Sequence, residues 1–285
     1  MSKSLIILGN GFDLDLGWKT SFRDVFTHSI MKLPLERYSG CYYVKELIIN
    51  ECWCDFEGYL RKCVEELNSD RINELNFFWK LCRNNLLNYF GYQTTKKYIY
   101  QTNSNSCAYH FIKQIVDDYV FSFNYTNPFQ ELELPKVPIE FMHGKIEGAF
   151  NGSEIKVGID NSVLNPLAHD KMIEPLIKSI GNDAKYRLLE SIKEVETIVI
   201  YGHSLGITDS DYFKPIFEAM ICGALFEKDV YFVTKDSKSE SDIALHISYY
   251  GISYDKLLLS NNIFHVVYTN DGIESDGYKD MLKKL

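Results

Sequence analysis

The sequence predicts an α/β protein, a doubly wound and mainly parallel sheet with a helical insertion. Three observations predict it. The chain opens on a short apolar run that stops at a glycine turn. Runs of the same kind return after residue 115, with helical segments between several of them. The stretch separating the two repeats its apolar residues at helical, not strand, spacing.

The first element is Leu5-Ile6-Ile7-Leu8, closed by Gly9-Asn10-Gly11. An apolar run without polar alternation, ended by glycine, reads as a strand buried on both faces. It is too short for the apolar core of an export signal. From residue 21 to 115 the pattern changes. Phe56, Tyr59, Leu60, Cys63 and Leu67 recur at helical spacing, as do Leu75, Phe78, Trp79, Leu81 and Cys82. This stretch is expected to be the insertion, leaving residues 1–20 and 116–285 as the nucleotide-binding domain. Strands are expected again at Tyr119–Phe123, Ile139–Met142, Thr197–Tyr201, Asp229–Thr234 and Ile263–Tyr268. Helices are expected at Pro166–Ile180, Asn182–Ile192, Ser210–Cys222 and Ser239–Tyr250.

Composition sets limits on function. A length of 285 residues suits one domain with a large insertion, or two small ones. The 46% of hydrophobic residues supports a packed core. A formal net charge of -9 gives no general attraction to phosphate backbones or anionic lipid, so nucleic acid is not an expected partner. No apolar run reaches the roughly 20 residues that a membrane span needs, so no membrane partner is expected. The seven cysteines are odd in number and form no C-x-x-C pair. They read as reduced, buried or half-buried thiols of a cytoplasmic protein, and no metal site is expected.

The polar segments that could carry chemistry all follow predicted strands. Gly9-Asn10-Gly11-Phe12-Asp13 joins a strand to a helix, where glycines let the backbone approach a pyrophosphate. Position 14 is leucine, so the full dinucleotide fingerprint is absent. Asn124-Tyr125-Thr126 places an amide that can donate and accept at once. His143-Gly144 offers an imidazole, the side-chain type most often used as a general base. Gly202-His203-Ser204-Leu205-Gly206, with Asp209 behind it, offers small and hydroxyl groups for ribose or phosphate. It is also superficially like a hydrolase elbow around Ser204, with Asp229 or Asp242 and His246 or His265 as further triad members, but five more residues delay the helix. In a parallel sheet these segments gather on one edge, where ligands bind. Within the insertion, Trp53 reads as core packing, and Asp55 and Glu57 as capping or surface acids.

Taken together, these segments resemble the AbiH family of bacteriophage abortive infection proteins. The residues are Ile7 to Leu14, Thr20-Ser21-Phe22, Trp53 with Asp55-Phe56-Glu57, Phe123 to Thr126, His143-Gly144 and Tyr201 to Leu205 with Asp209. They span nearly the whole chain. That family is in turn similar to the Sir2 superfamily, whose glycine turn, Asn-Ile-Asp, His-Gly and Gly-Thr-Ser-Leu motifs follow in the same order. The resemblance implies a Sir2-like, Rossmann-like sheet and NAD as substrate, cleaved to release nicotinamide. It implies Asn124 and His143 as the catalytic pair. It implies Gly9, Asn10, Gly11, Asp13, Thr126, Gly202, His203, Ser204 and Asp209 as the NAD pocket. It also implies a phage-derived trigger and assembly into homo-oligomers. The zinc-binding cysteine pairs of Sir2 deacylases are missing, which turns the expectation from lysine deacylation to NAD hydrolysis. Thr126 stands where Sir2 enzymes usually have an aspartate. That difference favours the alternative, a module that binds NAD or ADP-ribose without cutting it.

Overall fold

β1 (Leu5–Leu8) is fully buried, because it sits in the middle of a sheet covered on both faces. In a computed structural model that describes residues 3–28, 37–49, 56–91, 93–146, 155–159, 165–176 and 182–285, five more strands join it: β2 (Tyr119–Ser122), β3 (Ile139–Phe141), β4 (Thr197–Tyr201), β5 (Asp229–Thr234) and β6 (Ile263–Tyr268). Their order is β3-β2-β1-β4-β5-β6 and every neighbouring pair is parallel. This is the Rossmann-like order, reversing between β1 and β4.

Alternate residues of each strand feed two separate cores. Leu5, Ile7, Phe121, Ile198, Ile200, Val230 and Phe232 pack on one face. That face receives α3 (Asn182–Glu194), α4 (Ser210–Ile221) and α5 (Ser237–Tyr249) through residues such as Leu188, Phe213 and Ile247. Ile6, Leu8, Val120, Val199, Tyr201 and Val233 pack on the other face. There they meet α1 (Asn10–Asp15), α2 (Cys107–Ile112) and α6 (Asp276–Lys284) through Phe12, Phe111 and Met281. Helices on both faces are why these strands carry no polar alternation. Burying each such aliphatic side chain is worth about 1.5–3 kcal/mol.

The chain divides into two compact units. One is Met1–Trp18, Tyr100–Lys145 and Ile180–Leu285, which holds the whole sheet; the other is Lys19–Ile99 with Ile146–Ser179. The second unit is helical, with Phe22–Thr27, Tyr42–Ile49, Phe56–Glu65, Ile72–Gly91 and Gln93–Ile99. Its centre is a set of rings, Phe22, Phe26, Phe56, Phe78 and Tyr43, in tilted and edge contacts. Against the expected span of 21–115, this unit ends earlier and takes in a distant segment. The segment is attached by polar bonds with no local signature. Trp79 Nε1 donates to the Val157 carbonyl at 2.9 Å, and Asn165 Nδ2 donates to the Val64 and Leu67 carbonyls at the end of a helix.

Most expected elements form within a residue or two of their predicted bounds. The expected helix Pro166–Ile180 does not. Its described part holds two short 3₁₀ turns, Pro166–His169 and Glu174–Leu176. Pro175 explains the break, since it has no N–H to give and its ring obstructs the preceding turn. Among the described cysteines, Cys63, Cys82 and Cys107 are buried and Cys41 half-buried, as expected. Cys222 departs by being exposed at the end of α4. Trp53 and Asp55 lie outside the described residues; Glu57 stands in the first turn of Phe56–Glu65. Among the described residues, no helix is long and apolar enough to cross a membrane.

Candidate functional site

Strand register brings the polar turns to one level. Leu8 pairs with Ser122 on one side and Tyr201 on the other, and Ser122 pairs with Phe141. The ladder then runs slightly past the strands. Phe123 N donates to Leu8 O, Gly9 N to Tyr201 O, Met142 N to Ser122 O and Gly202 N to Val233 O, all at 2.8–2.9 Å. The segments that begin at Gly9, Asn124, His143 and Gly202 therefore leave the carboxyl rim side by side.

The turns after β1 and β4 meet as a backbone seam at the point where strand order reverses. Gly11 N donates to Gly202 O at 2.8 Å. A Cβ on Gly9 would lie 2.4 Å from the His203 Cα, and one on Gly202 would lie 2.2 Å from the Phe12 nitrogen. Gly202 also has φ +64, which glycine alone adopts at little cost. These glycines thus serve the close approach of two backbones, and the amides of Gly9 and Gly11 are engaged by protein carbonyls. Asn10 and Ser204, at the outer edge of the seam, are exposed.

Beneath the seam lies a buried polar cluster. Asp13 is wholly buried on α1. Its Oδ1 accepts from Asn124 Nδ2 at 2.9 Å and its Oδ2 from the Thr126 hydroxyl at 2.6 Å. Asn124 Nδ2 gives its other proton to the Gly9 carbonyl at 3.0 Å. Both partners are acceptors, so the orientation of the amide follows from the network. Among the described residues no protein group donates to the Asn124 Oδ1, which is left as an oriented acceptor. The Ser122 hydroxyl sets the turn by accepting from the Asn124 backbone N–H at 3.2 Å. The same cluster gives a reason for threonine at 126: an aspartate there would face the Asp13 carboxylate, and like charges repel strongly when buried.

A second buried cluster follows β3 and β4. His143 Nε2 lies 3.0 Å from Asp209 Oδ1, and His203 Nε2 lies 3.5 Å from Asp209 Oδ2. The ring of Phe123 meets both imidazoles edge-on, at centroid distances of 5.2 and 4.4 Å, and stacks on Phe213. Tyr212, the next ring, is held well above the usual tyrosine range, first by burial and then by the charges of Asp209 and Asp211. Leu205 is buried with φ +54, a left-handed conformation that is strained for a leucine. Its N–H donates to His203 Nδ1 at 2.9 Å, and the Tyr250 hydroxyl donates to its carbonyl.

The structure thus brings Asn124, His143 and every residue of the expected pocket to one rim. It also divides them. Asn10 and Ser204 are open, the glycines form the seam, and Asp13, Thr126, His203 and Asp209 are buried inside the two clusters. No elbow forms around Ser204, because a 3₁₀ turn, Ile207–Asp209, precedes α4, and His246 Nδ1 contacts the Ser204 carbonyl, not its hydroxyl. His265 pairs with Asp229 at the amino end of the sheet. Sequence reasoning missed Phe123, Tyr212 and Tyr250. Phe123 read as the last residue of a strand, and neither tyrosine stands in a recognisable pattern.

A family model for bacteriophage abortive infection AbiH matches residues 5–225, from β1 to just before β5. The chain belongs to the AbiH family. The biological role that comes with this membership is abortive infection of bacteriophage. The match spans both buried clusters of this AbiH chain. No curated protein and no solved structure matches the chain.

Proposed function

We propose that this AbiH protein hydrolyses NAD, releasing nicotinamide. The observation that carries the reading is the placement of an oriented amide acceptor, Asn124, and a buried imidazole, His143, just past the ends of the neighbouring strands β2 and β3. In doubly wound parallel sheets, dinucleotides bind outside the carboxyl ends of the strands at the switch point. The residues suit the substrate in one further respect: Asn10 and Ser204 present exposed polar side chains along the seam, where ribose or phosphate would lie.

The chemistry asks little acid of the protein. The C–N bond to nicotinamide breaks with its electron pair returning to the ring nitrogen, which neutralises the pyridinium. Positioning and electrostatics therefore carry most of the rate. Asn124 Oδ1 holds the attacking water or a ribose hydroxyl. His143 takes the proton released as the new C–O bond forms, and the products are nicotinamide and ADP-ribose.

Free nicotinamide, measured after incubating purified protein with NAD, tests this. Wild type should release it. Asn124→Ala and His143→Ala should each lose on the order of 100-fold or more while keeping the wild-type circular dichroism spectrum. Release at wild-type rate by both variants would remove the assignment. Tight NAD binding by an inert wild type would support the alternative, a sensor module.

A further inference from the structure

We infer that Asp209 and His203 are positioning residues that act through His143, and do not contact the ligand. This rests on the reading of His143 as the base. The argument starts from the tautomer of His203. Its Nδ1 receives the Leu205 N–H at 2.9 Å, so that nitrogen carries no proton and Nε2 carries it. That protonated Nε2 faces Asp209 Oδ2 at 3.5 Å, the distance of an ion-pair contact. The other carboxylate oxygen, Oδ1, lies 3.0 Å from His143 Nε2. One carboxylate therefore lies between two imidazoles, with the Nε2 of each facing one of its oxygens.

Each part of this bridge is held from behind. The carboxylate cannot turn without losing one of its imidazoles. The His203 ring cannot turn without freeing a buried N–H, that of Leu205. The Leu205 backbone is itself held in its strained conformation by the Tyr250 hydroxyl on its carbonyl. Strain of this kind persists only where surrounding bonds over-determine it, and it collects at functional sites. The Phe123 ring, edge-on to both imidazoles, keeps the clamp dry on one side.

The consequence is a directed base. With its Nε2 facing Asp209, the His143 ring is held in one orientation, and the carboxylate offsets the positive charge that forms when the ring takes a proton. A carboxylate that fixes ring tautomer and orientation is a general means of tuning a histidine base. The buried positions of Asp209 and His203, expected from resemblance to line the NAD pocket, are explained by this role.

The test combines kinetics with nitrogen-15 spectra of selectively labelled histidines in the whole protein. Asp209→Asn should lower kcat for nicotinamide release on the order of 100-fold or more, with KM nearly unchanged. His203→Ala should do the same, and His203→Gln should restore most of the rate, because glutamine can both accept from Leu205 and donate to Asp209. The wild-type spectra should show the Nε2–H tautomer at His143 and His203, with the His143 signal changed in Asp209→Asn. A raised KM with kcat intact would mean direct ligand contact and would overturn the inference. So would an Nδ1–H tautomer at His203 in the folded wild type. A wild type that shows both tautomers yet releases no nicotinamide would sink the NAD reading, and the catalytic role with it, while leaving the clamp as structure. Should Asp209→Asn fail to fold, the His203 pair and the wild-type spectra still decide.

Discussion

The two ends of the same sheet bury charge in different ways. At the amino end the carboxylates range from largely buried to exposed, and their partners reach into solvent or belong to the backbone. Asp229 takes the Lys284 ammonium at 2.6 Å and the His265 ring at 3.3 Å, with side-chain exposures of 50% for the lysine and 38% for the histidine. Tyr119 donates to the exposed Glu194, and Asp118 accepts the Ser4 N–H. At the carboxyl end the acids lie inside. Asp13 takes an amide and a hydroxyl, and Asp209 lies between two imidazoles, one of them only 4% exposed. A solvated ion pair contributes little to stability and constrains little. A buried carboxylate carries a large desolvation cost that hydrogen bonds have to offset, so its donors are fixed in place. The rim that holds fixed polar groups is the rim to which the proposed reaction is assigned.

The largest expected effect strikes the seam that roofs these groups. Gly202→Ala would put a methyl 2.2 Å from a backbone nitrogen at φ +64. It should cost on the order of 4 kcal/mol or more, read by chemical denaturation. A variant of near wild-type stability would break the picture of a rigid carboxyl rim. Next comes Asp13→Ala, which strips an acceptor from both Asn124 and Thr126. The expected loss is about 2–4 kcal/mol, from two buried donors left unpaired. If calorimetry found it neutral, the contrast between the two ends would fail.

The smallest effect is expected at the amino end and sharpens the contrast. Lys284→Ala should lower the unfolding midpoint at neutral pH only slightly, and that deficit should fade as the pH falls. Burial pushes the Asp229 carboxyl up, but donation from Lys284 and His265 outweighs it and holds the group below the ordinary aspartate value. A depressed carboxylate stabilises the fold above its unfolded value, near 3.9, and that contribution is lost as pH falls through the lower folded value. Removing Lys284 should therefore flatten the acid limb of stability against pH. An unchanged limb would show that the pair does not set the Asp229 titration.

Much of the fold is legible in the sequence. Leu5–Leu8, Thr197–Tyr201 and Asp229–Thr234 announce themselves because a strand covered on both faces is written as consecutive apolar residues. Their ends announce themselves because glycine and asparagine follow. With all strands parallel, those ends share a rim, and Gly9, Asn124, His143 and Gly202 could be placed together from order alone. The 3₁₀ turns around Pro175 show where local periodicity misleads, since one proline without an N–H outweighs a helical apolar pattern.

The strands, their polar ends and membership in a family are all properties of neighbours along the chain, and residues read in order suffice for them. Packing in three dimensions adds that Asp13 holds Asn124 and Thr126 from more than 100 residues away, that Asp209 lies between two imidazoles, and that Val157 and Asn165 bond into the helical unit. Such partners are chosen by strand register and by the need of each buried donor for an acceptor. Neither leaves a periodic trace in the residues that satisfy it.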